Sequence, residues 1–209
     1  MNTRKPESPL ERALSGVPGQ FRKRLISAYE SLKRDHAEGQ YEASGLAAGK
    51  FCEICLRLLQ HLVTGSSTAF GTQIPNFADE CRKLVTSPAG STVESLRTVI
   101  PRALVFMYTM RNKRGIGHVG GDVEANQIDS ATLARVADWI VCELIRVYHG
   151  LSLEEAQDLV DTLATRSMPD IWEVGGKKRV LRNGLSASQQ ALLLLYSEPS
   201  SYVLVEDLC

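Results

Sequence analysis

The sequence predicts an all-α fold, a helical bundle with a small C-terminal α/β tail, and three observations lead there. Apolar residues recur at three- and four-residue spacing over most of the first 166 positions. Asn, Ser or Thr stand ahead of these stretches and Gly or Pro behind them, where helix caps and stops belong. Strand-like runs occur only beyond Met168-Pro169. The expected organisation is a flexible N-terminus over residues 1–18, a helical domain over 19–167 and a hairpin-and-helix appendage over 168–209.

The elements follow in order. Pro18-Gly19 precedes a helix over 20–38 in which Phe21, Leu25, Tyr29 and Leu32 share a face, and Gly39 stops it. A second helix over 40–64 presents Leu46, Phe51, Ile54, Cys55, Leu58, Leu59 and Leu62, and Gly65 ends it. After a loop over 65–75, Asn76 caps a short helix that Ser87-Pro88 closes. Ser91 or Thr92 caps a longer segment containing Pro101, which must kink or divide it because proline removes a donor and crowds the preceding turn. Helix resumes from Ala103 to Arg114.

Asp129 or Ser130 caps the next helix, which runs to Tyr148 with Leu133, Val136, Ile140, Leu144 and Val147 on one face and Gly150 behind it. Ser152-Leu-Glu-Glu is a capping box for the last bundle helix. Beyond it, residues 171–181 read as a β-hairpin turning at Gly175-Gly176, and Ser186 or Ser188 starts a helix through Tyr196. This tail resembles the opening of a winged helix that stops before any recognition helix, which argues against a DNA-binding regulator.

Composition narrows the function classes. The 209 residues are 44% hydrophobic and 23% charged, with 24 basic against 24 acidic side chains, so positive charge for a nucleic acid must be local. Five cysteines (Cys52, Cys55, Cys81, Cys142 and Cys209) form no disulfide framework, and no secretory leader is evident, which points to a cytoplasmic protein. No apolar run approaches the roughly 20 residues of a membrane span, so no membrane partner is expected.

Three constellations carry potential chemistry. Gly115-Ile-Gly-His-Val-Gly120 matches the dinucleotide-binding pattern, yet that pattern needs a strand before it and a helix directly after. Here a helix end precedes it, and Asp138, at the distance of the ribose-binding acid, falls inside a helix. Cys52-Glu-Ile-Cys55 has redox or zinc spacing. It sits mid-helix with His61 as a third ligand and no fourth, so packed core thiols are the expectation. No metal or cofactor is expected.

The third is Arg111 with His118. A histidine exchanges protons near neutral pH, an arginine grips phosphate and stabilises charge building on phosphorus, and Asn112 can orient either group. RNA brings its own nucleophile, the 2′-hydroxyl. The plainer alternative is that Lys113 and Arg114 complement a helix C-terminal dipole and His118 is an ordinary loop residue.

Arg111, followed at once by Asn112 and separated from His118 by the six residues 112–117, resembles the HEPN ribonuclease motif, and the resemblance covers roughly residues 20–166. That resemblance implies a metal-independent endoribonuclease of defence, abortive-infection or toxin type. Arg111, His118 and Asn112 would be catalytic, and Lys113 and Arg114 would contact RNA. It implies a homodimer whose two motifs share one cleft, which supplies both an acid and a base, and a regulatory or antitoxin partner. Gly120 stands where one subgroup has a tyrosine, so nucleotide transfer to that tyrosine is not expected. A non-catalytic RNA-binding or regulatory dimerisation module of the same type is the alternative.

Overall fold

The computed structural model describes residues 9–88, 90, 92–114, 116, 123–164, 171–174 and 177–196. They are mostly helical, and the chain divides into two compact units, Met1–Gln157 and Asp158–Cys209. The division falls ahead of the Met168-Pro169 break that serves as a boundary in the sequence. No helix among the described residues is long and apolar enough to cross a membrane.

The first unit is built on α2 (Gly19–Ala37) and α3 (Tyr41–Thr64), which pack along each other. Phe21, Leu25, Tyr29 and Leu32 of α2 are buried as their spacing requires, and on α3 the Phe51 ring lies 6.3 Å from that of Tyr29 and the His61 ring 5.5 Å from that of Phe21. Against α3 also lie α5 (Ile100–Lys113) and α6 (Gln127–His149), which bury Ile100, Leu104, Met107, Leu133, Ile140 and Leu144. Gly65 ends α3 at φ +77°, a left-handed conformation that glycine adopts without strain. The following loop is tied down by buried Arg57, which donates to the Thr72 carbonyl at 2.7 Å, and by Gln60, which accepts from the Thr68 amide at 2.9 Å.

The caps show where local chemistry decided. Asn76 Oδ1 accepts from the Asp79 amide at the start of α4 (Phe77–Thr86). Ser152 and Glu155 exchange side-chain and backbone bonds ahead of α7 (Leu153–Ala164), the expected capping box. The start of α6 differs from expectation. Asn126, not Asp129 or Ser130, is the cap, accepting from the Asp129 amide at 3.0 Å, so the helix begins earlier and both expected caps lie in its first turn. All three residue types cap well, and tertiary partners of Asp129 and Ser130 settle the choice.

Pro101 divides its segment as expected. A π-helical turn, Ser95–Val99, precedes α5, and the Ile100 amide reaches back five residues to the Ser95 carbonyl. Widening this turn moves backbone away from the proline ring, which would crowd the carbonyl four residues earlier. Leu96 is thereby buried, while Arg97 donates to the Val85 and Ser87 carbonyls at the end of α4.

One correction concerns the N-terminal segment expected to be flexible through residue 18. Pro9–Ala13 forms a short helix, α1, and Leu10, Leu14 and Val17, at helical spacing, are buried. His149 Nε2 meets the Ala13 carbonyl at 2.5 Å, and the Tyr148 ring fills the space beside Gly16.

In the second unit, β1 (Ile171–Val174) and β2 (Lys177–Val180) pair antiparallel with Ile171 opposite Val180 and Val174 opposite Lys177. The expected hairpin is thus formed. Its helix α8 (Ala187–Tyr196) packs on β2 and is capped by Ser186, whose hydroxyl accepts from the Gln189 amide. Residues 202–205, read as a further apolar run, lie outside the described residues.

Candidate functional site

The last turn of α5 carries Arg111, Asn112 and Lys113, and α3 supplies the surface that holds them. Gly45 and Gly49, one turn apart, lower one face of α3 so that the end of α5 can approach. Arg111 lies directly over Gly49. A Cβ there would be 3.2 Å from Arg111 Nε and 3.4 Å from its Cγ and Cδ. One turn earlier, the Ile116 side chain occupies the space a Cβ on Gly45 would need. Ile116 is itself buried.

Arg111 Nη1 donates to Asn112 Oδ1 at 2.7 Å, so two neighbouring residues are locked into one polar unit. Arg111 Nε is buried against α3 without a hydrogen-bond partner among the described residues. Burying an unpaired donor of a charged group costs free energy. The α3 notch therefore fixes the stem of the arginine, and its outer edge remains the face that can meet an anion.

A polar strip extends this unit along the α3–α5 seam. Tyr108, one turn before Arg111, donates to Glu53 Oε1 at 3.4 Å and stacks on Phe77 at 4.0 Å between ring centres. Burial, and then the Glu53 charge, push its hydroxyl above the usual tyrosine range, with Arg111 opposing. Glu53 also meets Arg57 at 3.4 Å. Tyr108 and Glu53 escaped the sequence reading. The only available signal was the helical offset of three and four residues between Tyr108 and the Arg111-Asn112 pair.

The accessory cations diverge. Lys113 is exposed, whereas Arg114 Nε donates to Asp129 Oδ2 at 3.0 Å, and Asn126 donates to the same oxygen at 2.8 Å. Burial alone would raise the Asp129 carboxyl, but the Arg114 and Asn126 hydrogen bonds and the Arg114 charge outweigh it and hold it below the usual range. Arg114 is thus engaged at the α6 N-terminus, where a carboxylate is also favoured by the helix dipole. His118 lies outside the described residues, as do Gly115, Gly117 and residues 119–122.

The dinucleotide reading lacks its context, since α5 rather than a strand leads into Gly115. Asp138 has a structural task instead, accepting from the Tyr29 hydroxyl and from Lys33 Nζ, both at 2.7 Å. Cys52 and Cys55 are core thiols, and with Cys81 they lie where α3 meets α4. Burial raises all three, Cys81 to about 12. No group of His, Cys, Asp and Glu among the described residues could hold a metal ion.

A buried chain that the sequence did not disclose joins three helices beside Asp129. Ser44 Oγ donates to the Leu32 carbonyl at 3.2 Å, and Ser130 Oγ donates to Ser44 Oγ at 3.0 Å. Each hydroxyl has one proton, so the 2.9 Å contact between His36 Nδ1 and Ser130 Oγ is donated by the imidazole. His36 Nε2 is then the nitrogen that titrates. Burial first, and the Lys33 charge second, lower its pKa from 6.5, while Asp138 works against them.

No family model, curated protein or solved structure matches this chain.

Proposed function

We propose that the chain is a HEPN-like, metal-independent endoribonuclease that acts as a homodimer in bacterial anti-phage defence or toxin-type growth arrest. His118 takes the proton of an RNA 2′-hydroxyl, which attacks the adjacent phosphorus. The His118 of a second copy returns a proton to the leaving 5′ oxygen, and the product is a 2′,3′-cyclic phosphate. Arg111 meets the non-bridging oxygens as negative charge builds there, Asn112 orients it, and Lys113 and Arg114 contact flanking phosphates.

The observation that supports this reading best is the Arg111-Asn112 unit seated on Gly49, which holds a guanidinium in one orientation at a helix end. A second copy fits an exposed apolar stripe formed by Val99, at the end of the π-helical turn, and Phe106 of α5, each 46% exposed. Incubation of the purified protein with RNA in EDTA tests the reading. Cleavage with cyclic phosphate ends is expected; His118→Ala should abolish it, and Arg111→Ala should slow it roughly 100- to 1,000-fold. Equal cleavage by wild type and both variants refutes the assignment.

The Arg114–Asp129 ion pair favours one second reading, a non-catalytic RNA-binding or regulatory module, because it ties one expected contact residue to the fold. That module would retain RNA in the same assay without forming product.

A further inference from the structure

A different face of α2 and α3 from the Arg111 notch carries an open groove of about 610 Å³. Ala28, Ala43 and Ala47 keep it shallow, and Lys23, Arg24, Arg34 and Lys50 line it. The only carboxylate in the lining is Asp35, which Arg34 holds at 3.0 Å. Four cations against one paired acid is a marked local excess in a chain whose total charges cancel, 24 to 24. Lys23 and Lys50 are exposed and make no ion pair among the described residues.

The groove suits an extended polyanion better than a folded surface. Lys23, Ser27, Ser31 and Arg34 follow one another along α2 at steps of about 5–6 Å, and the ridge is roughly 16 Å long. Two hydroxyls lie between a cation at either end, so phosphates can be met in turn. Two packed helices with axes about 8–10 Å apart leave no room for a duplex between their ridges. Arg24 places its guanidinium 4.3 Å from the centre of the Phe70 ring, which is 36% exposed. Phe70 is not itself part of the groove lining and Arg57 also approaches its ring, at 5.6 Å, but its exposed part beside Arg24 offers the kind of surface on which single-stranded nucleic acids stack.

We propose that the α2–α3 groove binds a short segment of single-stranded RNA, with Lys23, Arg34 and Lys50 on its phosphates and a base against Phe70 and Arg24. Only the choice of RNA as the polyanion rests on the function proposed above.

The test uses the full chain and a fluorescent 2′-O-methyl oligouridylate, which lacks the hydroxyl needed for cleavage. Binding is followed by anisotropy across a salt series. Lys23→Glu/Lys50→Glu should weaken binding at least tenfold and lower the slope of log K against log salt by about 1.4, since each single-strand phosphate contact contributes about 0.7. Lys23→Arg/Lys50→Arg should bind as wild type does. Wild-type affinity in the charge-reversed protein, with unchanged circular dichroism and Tm, overturns the proposal. Tighter binding of an oligoglutamate than of the RNA overturns it in favour of an acidic protein partner. RNA cleavage by a protein whose charge-reversed form binds normally removes the groove and keeps the nuclease. Groove-dependent binding without cleavage removes the nuclease and keeps the groove.

Discussion

Gly49 offers a way to move Arg111 without touching it. Replacing an interior helical glycine by alanine favours the helix by about 0.8–1.0 kcal/mol. For a chain of this size that raises Tm by roughly 2–4 °C. The new Cβ, however, would stand 3.2 Å from Arg111 Nε and 3.4 Å from its Cγ and Cδ, inside the ordinary carbon contact distance of about 3.5–4.0 Å. The arginine must shift by a few tenths of an ångström. Misplacement by about 1 Å costs on the order of 100-fold in rate, so under the proposed nuclease function Gly49→Ala should cleave RNA roughly three- to tenfold more slowly while melting no lower than wild type. Gly49→Val adds two methyl groups at the same point and should approach the loss of Arg111→Ala, roughly 100- to 1,000-fold. Thermal melts by circular dichroism and initial rates of RNA cleavage in EDTA are the paired measurements. A folded Gly49→Val protein with the wild-type rate would show that the notch does not position the reactive arginine.

Three further outcomes test the surrounding fold. Asp138→Ala removes the acceptor of Tyr29 and the partner of Lys33 and should cost about 2–3 kcal/mol in urea denaturation. Asp138→Asn, which keeps an acceptor and loses only an ion pair to a partly exposed lysine, should cost under about 1 kcal/mol. Because the folded pKa of His36 is lowered from 6.5, the unfolded chain takes up that proton first. Stability is therefore full above about pH 6.5 and lost as pH falls through the folded value. His36→Asn should show a smaller Tm loss than wild type between about pH 7.5 and 5.5; equal losses refute that role. Cys52, Cys55 and Cys81 are buried with raised thiols, so peptide mapping after iodoacetamide treatment of the native protein near pH 8 should find them unmodified.

Features set within a few residues could be read from the sequence, and those set across the chain could not. Asn76, Gly65 and the Ser152/Glu155 box act on their own helix ends, so their roles followed from residue type and position. Pro101 announced its own break. The α6 start was misplaced because Asn126, Asp129 and Ser130 are all competent caps, and distant partners, Arg114 and His36, choose between them. Leu10, Leu14 and Val17 make too short an apolar signal to outweigh polar neighbours. Within the site, Arg111 and Asn112 are adjacent, so their pairing was legible. Gly45 and Gly49 look like weak points in a helix until the side chains above them are known, and those come more than 60 positions later. Tyr29 and Asp138 are separated by 109 positions, a distance over which residue pattern carries no information.

The π-helical turn at Ser95–Val99 constrains which insertions and deletions this protein can tolerate in evolution. It stores one extra residue in a helical path, because its hydrogen bond spans five residues where an α turn spans four. Leu96, now in the core, and Arg97, now clasping the end of α4, would both be carried off their partners by a single-codon deletion. Length variation among descendants of this chain should therefore collect in the 65–75 loop and avoid the turn before α5.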